Sequence, residues 1–242
     1  MLKKLIRLNL DDMWMALGVV GGLFLLLHLG TAVALHFFFA SEHSSPLLSG
    51  VVLPITSALV ILMISLGHTM AAYTMAVKFS QTRRRALGLT LGLVGFEAAC
   101  SMGFAALLTL LERAVAPQFW MWLTGADGLV LERGRQVTAV VAGETPLLAE
   151  DVSLDWCWFP LLAAAGVLLG LIIGAIILRF GRRGGWTIWF IWMLCCFAPQ
   201  ILPWDASWFT LPWQYLAAVG GVFGLVCLGW SVWYLLRAPI KT

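Results

Sequence analysis

The sequence predicts an all-α integral membrane protein with six transmembrane helices and both termini on the cytoplasmic side. Three observations lead there. Of the 242 residues, 61% are hydrophobic and only 11% are charged, with a mean hydropathy of +0.93. A soluble domain would carry about a quarter charged residues. The apolar residues also fall in stretches that match a span of about 20 residues. Finally, all 15 Lys and Arg except Arg113, Arg133 and Arg135 lie in four clusters: Lys3, Lys4 and Arg7; Lys78, Arg83, Arg84 and Arg85; Arg179, Arg182 and Arg183; Arg237 and Lys241. Apolar stretches separate these clusters in pairs, which puts all four on one side, the cytoplasmic one.

The elements follow in order. Residues 1–12 place Leu2, Leu5, Ile6 and Leu8 beside Lys3, Lys4 and Arg7. They predict a short interfacial helix, or a basic flank that only sets orientation. Spans are expected at about 13–39, 47–76, 86–111, 158–178, 186–202 and 213–236. The first apolar run is too long for a signal peptide core, so it reads as an uncleaved anchor. Tryptophans near the span ends, among them Trp14, Trp158, Trp186, Trp213 and Trp233, fit an interfacial aromatic belt.

The outer loop, 112–157, gathers Glu112, Asp127, Glu132, Glu144, Glu150, Asp151 and Asp155. Apolar runs on either side of Asp127-Gly128 predict a hairpin there, and 137–142 reads as a further β-rich run. The loop is too short for an independent domain. It is expected to cap the outer span ends. Residues 198–212 interleave Pro199, Pro203 and Pro212 with Trp204, Trp208 and Phe209, which points to a re-entrant or surface-lying segment.

Several chemistries are disfavoured. The five cysteines show no C-x-x-C spacing, so neither a metal site nor a disulfide framework is expected. Basic residues at membrane edges do not point to nucleic acid. No G-x-x-x-x-G-K-[ST] phosphate loop occurs, and Leu48-Ser49-Gly50 is a chance match to part of an ATPase signature. No H-E-x-x-H occurs, and Glu97 with His28 or His68 makes a poor intramembrane enzyme.

Other features remain open between two readings. Glu97 is the one acidic residue inside an expected span, roughly 16 Å from the cytoplasmic edge. With His28 at similar depth, it either lines a translocation path or makes an interhelical hydrogen bond. Gly166, Gly170 and Gly174 share one helix face and permit close packing, within the chain or between subunits. Gly18 and Gly22, and Gly220 and Gly224, repeat that spacing. The segment Lys78, Phe79, Ser80, Gln81, Thr82, Arg83, Arg84, Arg85 is either a topology signal or a docking helix.

That last segment resembles the loop between spans 2 and 3 of small type 2 ABC exporter permeases. Residues 171–194, LIIGAIILRFGRRGGWTIWFIWML, resemble their span 4–5 junction, and 1–12 is similar to their N-terminal interfacial helix. Ser80 stands where such relatives often carry Gly. The resemblance implies a permease subunit of an ATP-driven exporter, paired with a second copy or a related permease. It implies that residues 78–85 couple to a cytoplasmic ABC ATPase, which would bind the ATP and Mg; no cofactor is expected on this chain. A hydrophobic or amphiphilic substrate (peptide antibiotic, lipid or drug-like) and an inner-membrane location follow from the same resemblance. The alternative is a non-transporting sensor or assembly protein with a ligand-binding outer loop.

Overall fold

The computed structural model describes residues 9–37, 44–78, 82–134, 136–141, 143–201 and 213–237. Residues 1–8 of the expected interfacial helix, Phe79, Ser80, Gln81 and most of 198–212 lie outside these, while 10–12 of that expected helix are the start of the first spanning helix. The helices are α1 (Leu10–Phe37), α2 (Ser49–Met70), α3 (Ala72–Lys78), α4 (Arg83–Thr124), α5 (Trp158–Phe180), α6 (Arg182–Ile201) and α7 (Trp213–Arg237). The strands are β1 (Ser44–Leu47), β2 (Gly128–Arg133), β3 (Gln136–Val141) and β4 (Pro146–Asp151).

The chain is mostly helical and membrane-embedded. Among the described residues, four helices are long and apolar enough to cross a membrane: Leu10–Phe37, Ser49–Lys78, Arg83–Thr124 and Trp158–Phe180. The third and fourth contain the expected spans 86–111 and 158–178, and the first two cover 13–37 of 13–39 and 49–76 of 47–76. The second joins α2 to α3 without a break, because Ala71 N–H donates to Gly67 O at 2.8 Å and Met75 N–H to Ala71 O at 2.9 Å. α6 and α7 occupy the stretches expected as spans 5 and 6. Gly224–Arg237 of α7 is a shorter apolar helical stretch.

Three expectations need correction. The chain is not all-α: β1–β4 form one mixed sheet in the order β1-β4-β2-β3. β1 and β2 both pair parallel to β4, while β2 and β3 are antiparallel. β1 comes from 44–47, that is, from the short outer loop before span 2 and the first residue expected in that span. The hairpin also sits one element later than the Asp-Gly signal indicated. Residues 119–123 are helical, and the turn is at Gly134, whose φ of 63° suits glycine. Lastly, α4 runs well past Leu111. Its 42 residues exceed what a bilayer core requires. It ends where Gly125, at φ 70°, lets Ala126 N–H reach back to Met121 O at 3.1 Å, a Schellman-type stop.

Two compact units make up the fold. The first comprises Met1–Ile61 and Gly95–Gly166. Its apolar clusters are Leu35, Leu47, Ala116, Trp120 and Leu147, and Val20, Leu53, Ala105 and Leu108. Proline chemistry ties the sheet to α2 here. Pro54 has no N–H to give Gly50 O, the acceptor four residues back. That carbonyl takes the Leu154 N–H at 3.1 Å instead. The second unit comprises Leu62–Val94 and Val167–Thr242, with Tyr73, Ala86, Leu87, Ala175 and Leu235 at its centre.

Asp127 holds the turn before β4. Its carboxylate accepts from Thr145 N at 2.7 Å, Thr145 Oγ1 at 3.0 Å and Glu144 N at 3.2 Å. These donors, the Thr145 backbone first, hold the carboxyl below its ordinary range. A depressed carboxylate stabilises at pH above its unfolded value and loses that contribution as pH falls through the folded value. The turn is therefore expected to hold at neutral pH and loosen only in strong acid. Asp127→Asn should speed Thr145 amide exchange at neutral pH, read by hydrogen exchange. Unchanged exchange would show that other bonds hold the turn.

Candidate functional site

A buried polar cluster forms in the first unit where α2 begins. Leu48 O accepts from Val52 N at 3.0 Å, so Ser49 is the first residue of α2 and its N–H has no acceptor within the helix. The Glu112 carboxylate of α4 fills that role, at 3.1 Å from Oε2 and 3.4 Å from Oε1. Both residues are buried. A carboxylate at a helix N-terminus also meets the positive end of the helix dipole. One turn earlier on α4, Thr109 Oγ1 lies 3.4 Å from Ser49 O and 2.9 Å from Ala105 O.

His28 of α1 completes the cluster. Its Nε2 is 3.6 Å from Glu112 Oε1. Its Nδ1 is 2.9 Å from Phe24 O, a carbonyl that can only accept, so Nδ1 carries a proton. Nε2 then faces a Glu112 carboxyl oxygen at ion-pair distance, and the two attract whenever the imidazole is protonated. Trp120 stacks on the imidazole at 6.0 Å between centroids and 15° between planes.

Next to Glu112, Arg113 turns toward the sheet. It pairs with Asp151 Oδ2 at 3.0 Å, at the end of β4, and donates to Ser153 Oγ at 2.6 Å. Its guanidinium lies 5.3 Å from the Trp156 ring. A Cβ at Gly50 would fall on the Ser153 side chain, so only glycine admits this approach. Glu112 and Arg113 thus fasten helix and sheet to the start of α2.

The carboxyl that meets His28 is therefore Glu112, which the sequence reading left in the outer loop. A signal was present. Ala98, Ser101, Ala105, Thr109, Glu112 and Ala116 keep a helical spacing of small and polar residues beyond Leu111. Glu97 itself is buried on α4, a turn before Ser101, whose Oγ is 2.8 Å from Ser57 Oγ.

The glycines of α5 each meet α2. In the first unit, a Cβ at Gly166 would lie 2.6 Å from Ala58 O. In the second, one at Gly170 would lie 2.6 Å from Leu62 O and one at Gly174 2.7 Å from Thr69 Cγ2. Ser65 Oγ donates to Val167 O at 2.9 Å along the same contact.

Of the expected coupling residues, Lys78 closes α3 and is exposed, as are Thr82, Arg84 and Arg85. Arg83 is half-buried and donates to Leu236 O at 3.2 Å. Tyr73 Oη donates to Leu235 O. Together they satisfy carbonyls of the last turn of α7 that the helix leaves open. Among the described residues, no group of three or more potential ligands could hold a metal ion. No family model, curated protein or solved structure matches the chain.

Proposed function

We propose that the chain is the permease subunit of an ATP-driven exporter that moves a hydrophobic or amphiphilic substrate, powered by a separate ABC ATPase. The observation that carries the reading is the basic strip between two long apolar helices. Lys78, Thr82, Arg84 and Arg85 are exposed there, while Arg83 ties the strip to the end of α7. A partner seated on this strip would push on α3, α4 and α7 together. Arg179 meets Trp230 and Tyr234 of α7, so three basic clusters gather within the second unit. On the positive-inside rule this end is cytoplasmic, α6 and α7 supply the fifth and sixth crossings, and the sheet lies outside. The plasma (inner) membrane, a second permease copy and ATP with Mg on the partner belong to the same reading.

Affinity purification of the tagged chain from its native membrane, with mass spectrometry of what accompanies it, tests the proposal. An ABC ATPase is expected, and Lys78→Gln with Arg84→Gln should reduce its recovery about tenfold while the protein stays inserted. Both positions are exposed and neither caps α7. Recovery of intact protein without an ATPase would reject the reading. It would favour a sensor or assembly protein, for which the exposed Val137, Val140 and Val141 of edge strand β3 offer a ligand surface.

A further inference from the structure

We infer that the α5–α6 turn and the end of α7 form a binding site for an anionic phospholipid headgroup. The inference rests on the membrane-embedded character of the chain and is independent of transport. Trp230, Trp233, Tyr234 and Arg237 recur at helical spacing on one face of α7. Arg179, near the end of α5, lays its guanidinium 5.3 Å from the Trp230 ring centroid and 5.0 Å from Tyr234. Phe180 adds a third ring at 5.1 Å, and Arg237 lies 5.0 Å from Trp233. Two cations are thus held against one aromatic strip.

This arrangement leaves the hydrogen-bonding capacity of the arginines unused. A ring contacts the face of a guanidinium, whereas the N–H donors point outward in its plane. The ring contacts hold the cation without consuming its N–H donors. Arg179, Arg182, Arg183 and Arg237 are exposed, and among the described residues no carboxylate pairs with any of them. Gly181, at φ 57°, makes the turn tight enough to set Arg182 and Arg183 immediately beside Arg179. The N–H groups of Arg182 and Arg183 precede the first helical bond of α6, made by Gly185 to Gly181 O at 3.3 Å, and so add backbone donors.

The chemistry selects the ligand. A planar fork matches two oxygens of a phosphodiester. Trp and Tyr side chains favour the headgroup level of a bilayer, where that phosphodiester sits. Four uncompensated cations favour a headgroup with net negative charge over a zwitterionic one, each worth about 1 kcal/mol, or about fivefold in affinity.

The test uses the full chain purified in detergent with mixed phosphatidylcholine and phosphatidylglycerol, and native mass spectrometry of the lipid retained. Preferential retention of phosphatidylglycerol is expected. Arg179→Gln should weaken the preference about fivefold. Trp230→Leu with Tyr234→Leu should weaken it severalfold at unchanged charge, which a diffuse electrostatic field would not do. Arg179→Lys keeps the charge that sets topology and loses the fork, so it too should lose preference. Equal retention of both lipids, an unchanged preference in the Trp230/Tyr234 variant, or displacement of the lipid by inorganic phosphate would each overturn the inference.

Discussion

Glu112→Ala is expected to destabilise the protein by about 3 kcal/mol, seen as a loss of several degrees in thermal unfolding in detergent. Three consequences add. The Ser49 N–H, buried at the first position of α2, loses its acceptor. The positive end of the α2 dipole loses the charge beside it. The His28 imidazole loses the carboxylate that lies 3.6 Å from its Nε2 and is left facing a cavity. Glu112→Gln distinguishes these terms. Its amide oxygen can still accept from Ser49, and its NH2 can donate to a neutral Nε2, so it should cost less than about 1 kcal/mol. A Glu112→Ala and His28→Ala double-mutant cycle should return a coupling of about 1 kcal/mol. If Glu112→Ala melts with the wild type, the cluster does not hold α2 in place.

What the sequence disclosed follows from the kind of signal each element leaves. Long apolar helices are written redundantly, and the four helices apolar enough to cross a membrane coincide with the first four expected spans to within about two residues at the ends of the first two. The sheet left a weaker trace. β1 and β4 meet across about 100 residues of chain, and a parallel partner leaves no turn motif in the sequence. Composition also misplaced the end of α4. Glu112 and Arg113 read as the start of a polar loop because charges inside a membrane-spanning helix are rare. They are tolerated because one caps α2 and the other pairs with Asp151. Leu48-Ser49-Gly50 looked like an accident. Gly50 lets Ser153 approach, so that residue type has a structural cause, and the Ser49 backbone N–H meets Glu112.

The glycines pose the sharper problem, because equal spacing conceals unequal environments. Gly18 and Gly22 of α1 repeat the interval of Gly166, Gly170 and Gly174. Yet a Cβ at Gly18 or Gly22 would meet nothing within 4 Å. At Gly170 the same atom would lie 2.5 Å from Ser65 Cβ and 2.6 Å from the Leu62 carbonyl, which is backbone and cannot rotate away. Gly170→Ala must therefore push α5 from α2 or bend one of them. Overpacking of this kind costs about 3 kcal/mol. The better helix propensity of Ala offsets about 1 kcal/mol, so a net loss of about 2 kcal/mol is expected. Gly18→Ala should have the opposite sign, a gain of up to about 1 kcal/mol from propensity alone. Both are read from thermal unfolding of the full chain in detergent, with binding of a second copy followed in parallel. A loss at Gly18 as large as that at Gly170 would mean that another helix covers the open face of α1 in the assembled protein. That loss should then disappear at dilutions where the protein is monomeric, whereas the loss at Gly170 should not depend on concentration.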